Sequence, residues 1–409
     1  MSSASHSAFA ALRHRDFRLL WLGQIVSVTG SQMQSVAINW HVYLLTKSAF
    51  ALGLVGLFRG LPIIFCSLAG GVVADAVDRK KLMMVTQSAM LISAGLLTLG
   101  TFAGLESVWP IYLLSALASA ATAFDIPARQ SLLPTLVPIE DFPNAVSLGI
   151  IVFNVATIAG PAIAGFLLAE SGPAVIYALN ALSFVAVIVA LIAMRTSGAP
   201  ELQSERSDAL SFGALKEGLR FVWHTPIIVQ TMTLDFAATF FASATLLLPI
   251  FAQERLHVGA RGYGFLAAAP AIGSVLTALI MARIGSFQKQ GRLVVASVAI
   301  FGVATAGFGV STVYWLSLLM LAITGASDTV STVLRQTIRQ LVTPNHLRGR
   351  MTSINMMFFM GGPQLGELEA GTVAALIGAP LSVVTGGIGS LVCAAIAAVK
   401  SRSLMEFQM

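Results

Sequence analysis

Gly71-Val72-Val73-Ala74-Asp75-Ala76-Val77-Asp78-Arg79-Lys80-Lys81 is the stretch on which the reading of the fold turns. An apolar run over residues 51–73 ends here in an acid, and three consecutive cations follow. That run is long enough to cross a bilayer, which takes about 20 residues of helix. A second apolar run begins at once with Leu82. The segment therefore reads as a tight, charged hairpin between two membrane helices. Gly71 is expected to allow close helix contact and Asp75 to anchor the turn. Arg79, Lys80 and Lys81 are expected to hold it in the cytoplasm, because cations cross membranes poorly.

The composition agrees. Of 409 residues, 56% are hydrophobic and 10% charged, whereas a soluble domain carries about a quarter charged residues. The mean hydropathy is strongly positive. A net charge of +6 would suggest nucleic acid in a soluble protein. Here the excess sits in loops beside membrane helices, so the lipid bilayer is the expected partner and nucleic acid is not. Cys66 and Cys393 lie inside apolar runs, and neither a disulfide framework nor a metal site follows from them. The polar, basic first 17 residues lack the short apolar core of a cleavable signal peptide. There is no His-Glu-x-x-His, no Gly-x-Ser-x-Gly and no Gly-x-x-x-x-Gly-Lys-Ser/Thr, so an enzyme is not expected. No cofactor is expected either, and an ion gradient, not ATP, is the expected energy source.

Twelve apolar runs near spanning length can be counted, from residues 19–45 to residues 381–399. The first is interrupted by Gln24, Gln32, Gln34, Asn39 and His41, and so polar a helix should face protein or a water-filled cavity. The longest polar stretch, residues 195–225, reads as a cytoplasmic linker between a six-helix half over 1–194 and another over 226–409. Within it, residues 212–223 have the spacing of a helix that could lie on the membrane surface. With both termini in the cytoplasm, all of the 24 Lys and Arg except Lys47, Arg59, Arg255 and Arg261 fall in cytoplasmic loops or helix ends. The positive-inside rule demands such an asymmetry.

An internal repeat supports two halves. Trp109 and Arg129-Gln130-Ser131 in the fourth run match Trp315 and Arg335-Gln336-Thr337 in the tenth, both offset by 206 residues. Gly160-Pro161 in the fifth run and Gly362-Pro363 in the eleventh match with a slightly shorter offset. About twenty helical residues from Trp to Arg span ~30 Å, placing an aromatic at one interface and a cation at the other.

The spacing Gly71-x-x-x-Asp75-x-x-x-Arg79-Lys80 resembles the loop signature of the major facilitator superfamily of secondary transporters. Asp78 stands where that pattern has Gly, and Ala76 where it often has a cation. The loop after the eighth run keeps Arg283, Gly285, Lys289, Gly291 and Arg292 but lacks the Asp. Phe124-Asp125-Ile126-Pro127-Ala128-Arg129-Gln130, Leu136-Val137-Pro138 and Gly366-Glu367-Leu368-Glu369-Ala370-Gly371 resemble the branch containing the enterobactin exporter and macrolide efflux proteins. Gly160-Pro161-x-x-x-Gly165 is similar to the antiporter motif of drug-exporting members, with Ala156 and Ala164 in place of two usual glycines. The resemblance covers essentially the whole chain. It implies an all-α membrane protein of 12 transmembrane helices in two pseudo-symmetric halves, in the plasma (inner) membrane, exporting as a functional monomer. It also implies that Asp75 meets cations in one conformation only, here Arg348, Arg350 and Arg129.

Charged groups inside membrane helices are costly and face partners or water. Asp125 and Arg129 stand four apart on one helical face, and Asp328 and Arg335 stand seven apart. Both pairs read as structural or gating pairs at the inner mouth. Asp235 and Glu367 lie deeper with no matching cation nearby in sequence. A desolvated carboxylate can load and release a proton near neutral pH, so these two are the proton-coupling candidates, or else satisfied buried acids paired with Arg59. Glu369 would line the cavity. Arg59 could neutralise an anionic substrate or one of the acids. Asn39 and His41 could hydrogen-bond substrate or a neighbouring helix. Pro161 lacks a backbone donor, and Gly160, Gly165, Gly362 and Pro363 complete a helix-bend motif of small, closely packed residues.

Three function classes follow. The first is a proton-coupled exporter of a bulky amphiphilic compound such as a siderophore or drug, suited to helices rich in Met, Phe and Ala. The second is an importer of a small polar solute on the same fold. The third is a transport-inactive scaffold, against which the intact hairpin argues.

Overall fold

Within lipid every backbone amide and carbonyl must be satisfied inside the chain, which leaves helix or closed barrel; here helix forms. The computed structural model describes residues 9–104, 107–198, 220–241, 243–285, 287–344 and 347–407. Among the described residues eleven long helices are found: α1 (Arg15–Thr46), α2 (Ala49–Ala76), α3 (Arg79–Phe102), α4 (Trp109–Leu132), α5 (Phe142–Ala193), α6 (Pro226–Phe241), α7 (Gly259–Ile284), α8 (Gln290–Val310), α9 (Tyr314–Val342), α10 (Arg348–Ile377) and α11 (Ala379–Lys400). Among the described residues, nine helical segments are long and apolar enough to cross a membrane. α1 and α10 fall outside that set despite lengths of 32 and 30 residues, because polar side chains interrupt them.

Two expected boundaries differ. The fifth and sixth runs form one 52-residue stretch, α5, broken only in dihedrals at Gly172 (φ 72°, ψ −177°) just before Pro173. Glycine reaches that positive φ without steric cost, and Pro173 has no amide to donate back. The seventh run is not one regular helix. After α6 the chain continues through a 3-10 turn (Ala244–Leu247), a single turn (Leu248–Ile250) and a wider π turn (Phe251–Arg255), with Pro249 removing one donor. The linker residues 199–219, including most of the expected surface helix, lie outside the described residues.

The chain divides into two compact units, one of Met1–His41 with Leu61–Leu202 and the other of Val42–Gly60 with Gln203–Met409. In the first unit α3 packs against α4 and α5, around Met83, Ala128, Leu132, Ala145, Leu148 and Leu191. Lipid tails are as apolar as leucine, so close van der Waals packing, not water exclusion, holds such helices together. The close approach expected at Gly71 occurs one residue earlier. A Cβ on Gly70 would run into the backbone of Ala123, whereas one on Gly71 would meet nothing within 4 Å.

The hairpin after α2 is pinned by its second acid. Asp78 caps α3, its Oδ1 accepting from the amides of Lys80 (3.0 Å) and Lys81 (3.1 Å), which satisfies donors that a helix start leaves open. The Arg79 amide donates to the Gly198 carbonyl at 2.8 Å, and Lys80 Nζ donates to the Met194 carbonyl at 2.7 Å, at the end of α5. A cation at a helix C-terminus is favourably placed.

In the second unit α9 packs against α7 and α8, α8 against α11, and α6 against α10 and α11. Ser274 Oγ donates to the Gly325 carbonyl (3.0 Å) where α7 meets α9. A Cβ on Gly325 would overlap Pro270.

Candidate functional site

In the first unit Asp125 is 4% exposed. Its Oδ1 accepts from Thr86 Oγ1 (2.9 Å) and Gln87 Nε2 (3.0 Å) on α3. Arg129, one turn further along α4, reaches Oδ2 only at 3.9 Å, and its Nη1 donates to the Gln24 side-chain oxygen of α1. Two neutral donors therefore satisfy the acid, and the amide of Gln24 holds the guanidinium.

The second unit repeats the arrangement with a different charge pattern. Arg335, 1% exposed, places Nη2 2.6 Å from Asp235 Oδ1 of α6. Its Nη1 donates to Ser331 Oγ at 2.7 Å, and Nη2 also donates to Thr332 Oγ1 at 3.1 Å. The Thr332 hydroxyl bonds to Asp328. The short ion pair of Arg335 is thus made to Asp235 and not to Asp328, and Asp235, with no matching cation nearby in sequence, finds one on α9. The reason is packing: α6 and α9 touch, which sequence spacing does not reveal. Arg339, one turn on from Arg335, is buried beside the same pair. Thr239, Ser297, Ser327, Asp328, Ser331 and Arg335, with apolar side chains between them, line a small cavity between α6, α8 and α9.

A glycine face runs along the first half of α2. Cβ atoms on Gly53, Gly56 and Gly60 would meet Gly371 Cα at 3.2 Å, Glu367 Cβ at 2.5 Å and Gln364 Cβ at 2.6 Å. The near-regular spacing is the small-residue pattern that lets membrane helices approach closely, and it was legible in the sequence. Glu367 is folded against Gly56, and Arg59 supplies the opposite charge that acts on it. Glu369, two residues on, is half-buried.

His41 bonds through Nδ1 to the Tyr177 hydroxyl at 3.1 Å, both buried, which is an inter-helix bond. Asn39 Oδ1 is buried without a partner among the described residues. Two contacts had no counterpart in the sequence reading. The Tyr43 hydroxyl donates to Glu254 at 2.6 Å, and Lys47 lies 4.5 Å over the Tyr43 ring, a cation–π distance. In the bend motif, Gly160, Pro161 and Gly165 are buried and the helix stays regular through them. A Cβ on Gly160 would meet Gln32 and Met33 of α1. Gly362 lies against Phe236 and Thr239, and the Pro363 carbonyl accepts from Ser243 Oγ at 3.3 Å. The side chains of Asp75, Arg348 and Arg350 lie outside the described residues, so the gate contact expected of them has no geometry here.

The profile of the transmembrane secretion effector family matches residues 6–408. The chain belongs to that family. It is a membrane transporter, not an enzyme, and a multi-pass integral membrane protein. Proteins similar to it include the enterobactin exporter EntS of Shigella boydii serotype 18, 25% identical over 379 residues, covering 93% of this chain and 90% of that one. The EntS of Escherichia coli O81 matches with the same identity and coverage. Among solved structures, a POT family transporter in complex with 5-aminolevulinic acid superposes with a TM-score of 0.74 at 11% identity, covering 96% of this chain and 97% of that one. The nucleoside transporter NupG superposes with a TM-score of 0.73 at 14% identity, covering 94% and 99%. The chain thus shares the all-helical fold of these structures.

Proposed function

We propose that this protein is a proton-coupled exporter of a bulky amphiphilic small molecule, siderophore-like or drug-like, working by alternating access. The observation that carries the reading is the likeness to the enterobactin exporter over 93% of this chain and 90% of the relative. A count of twelve spans is part of the reading: nine segments among the described residues are long and apolar enough, α5 is taken as two spans divided at Gly172, and the more polar α1 and α10 are taken to complete the number. Two six-helix halves, over 1–194 and 226–409, joined by a cytoplasmic linker, fit the 206-residue offset of Trp109 and Arg129 from Trp315 and Arg335. The Lys/Arg asymmetry supports cytoplasmic termini in the inner membrane. The protein functions as a monomer.

Each half holds one buried acid–arginine cluster reaching from its fourth helix to its first, and these clusters keep each half rigid while the halves rock. The hairpin acid Asp75 gates the inner mouth against Arg348, Arg350 and Arg129 in one state and releases them in the other. Glu367 and Arg59, on the α2–α10 face, line the pathway together with Glu369.

The test compares small molecules inside cells and in the medium, under iron limitation, for a deletion strain, a complemented strain and an Asp75→Asn strain. Export predicts one compound that appears outside only with the intact protein and builds up inside without it. Asp75→Asn inserts normally but behaves as the deletion. Depletion of an added solute by the intact protein alone would turn the reading to import.

A further inference from the structure

We propose that Asp328 is the acid that carries the coupling proton, loading and releasing it in the small cavity between α6, α8 and α9; this rests on the proton-coupled reading above. Three observations on one cavity carry it.

The first is the assignment of partners. Arg335 stands between two acids and gives its 2.6 Å contact to Asp235. Among the described residues no ion pair within 4 Å is formed by Asp328, which feels the charge of Arg335 from further off and is linked to it through the Thr332 hydroxyl. One of the two acids is neutralised at contact and the other is not.

The second is the lining. Asp328 lines a cavity whose wall mixes the hydroxyls of Thr239, Ser297, Ser327 and Ser331 with apolar side chains; hydroxyl oxygens both donate and accept, and so can relay a proton. Arg335, 1% exposed, lines the same cavity with an Nε that has no acceptor among the described residues. A buried donor left open points to a polar occupant.

The third is the surroundings of the acid. The charged groups facing it are Asp235 from α6 and Arg335 from its own helix. Arg339 faces Asp235 and Arg335 from one turn further on. The cavity residues from α8 are uncharged, and α7 meets α9 at Gly325 through Pro270 and Ser274.

Loading adds one proton from water to a carboxylate oxygen of Asp328, and release returns it to water on the other side. The charge of the cluster changes by one each time. The ionised acid accepts from Thr332, which in turn accepts from Arg335 Nη2, the nitrogen that holds Asp235. Loading removes the pull at the far end of that chain and so alters the link between α9 and α6.

The test uses the full-length protein in lipid nanodiscs, with protons as the only ligand. Infrared difference spectra between alkaline and acidic buffer report protonated carboxyl groups. The expected result is a carboxyl band that is lost in Asp328→Asn, shifted but present in Asp328→Glu, and kept in Asp235→Asn and Glu367→Gln. A band that survives in Asp328→Asn, or disappears only in Glu367→Gln, overturns the assignment. So does a cavity that responds to sodium at constant pH instead of to protons. Enterobactin-evoked proton movement in proteoliposomes is the separate readout of the parent reading. If the band follows Asp328 while wild-type protein moves no protons with that probe, the acid stands as a proton site and coupled export falls.

Discussion

Arg335 and Asp235 stand 100 residues apart in sequence and meet at 2.6 Å, joining α9 to α6 at a guanidinium that is 1% exposed. The matching arginine of the first unit, Arg129, is joined to α1 by the neutral Gln24 instead. The repeat keeps the cation and changes what it is paired with. One cluster is therefore a hydrogen-bonded anchor and the other a buried ion pair with a second acid beside it.

Removing one partner of such a pair leaves an uncompensated buried charge, which costs about 3–5 kcal/mol. Asp235→Ala should destabilise the detergent-solubilised protein by about that amount in thermal unfolding. The double variant Asp235→Ala/Arg335→Leu should be more stable than Asp235→Ala alone, because no charge is left stranded. Additive losses in this cycle would show that the two side chains do not act as a pair.

Gly70 and Gly71 separate two explanations of the hairpin glycines. A Cβ at Gly70 has no room against Ala123, so Gly70→Ala should cost about 1–3 kcal/mol and lower the midpoint of thermal aggregation. Gly71→Ala, with open space around it, should stay within about 0.5 kcal/mol of the parent. A reversed order would contradict the packing described for α2 against α4.

The fold was legible because its determinants are local. Apolar runs of spanning length, cations confined to alternate loops, and paired Trp and Arg landmarks can each be read without knowing which helices touch. What could not be read depends on helix rotation and on long-range packing. One residue turns a helix by about 100°, which is why Gly70 and not Gly71 makes the close contact. The partner of Arg335 lies on a helix 100 residues away, and no spacing rule reaches that far. Asp78 was readable in principle: an acid ahead of a helix is an N-cap signal, although it first reads as a departure from the hairpin pattern. The glycines at 53, 56 and 60 were equally visible as a small-residue face.

Asp16 ties the start of α1 to the segment after α5. One carboxylate oxygen accepts from the amides of Arg195 (3.0 Å) and Thr196 (2.8 Å) and from the Thr196 hydroxyl (2.6 Å). Burial alone would raise this carboxyl; the bonds from Thr196 and Arg195, with Arg15 beside them, outweigh it and hold the group below its ordinary value. A folded-state value below the unfolded one stabilises the fold above the unfolded pKa of about 4. That contribution disappears as pH falls through the folded value. The stability gap between wild type and Asp16→Asn should therefore be constant near neutral pH and close in acid below about pH 4. A gap that widens on acidification would refute the assignment.

Accumulation of the compound that the iron-limited strain comparison identifies, in inverted membrane vesicles prepared with and without the protein and energised by a proton gradient, is the most direct test of coupled export. Proton-coupled export predicts accumulation that requires the protein and collapses when a protonophore is added. Accumulation that is equal without the protein, or that persists after the gradient is dissipated, would contradict it.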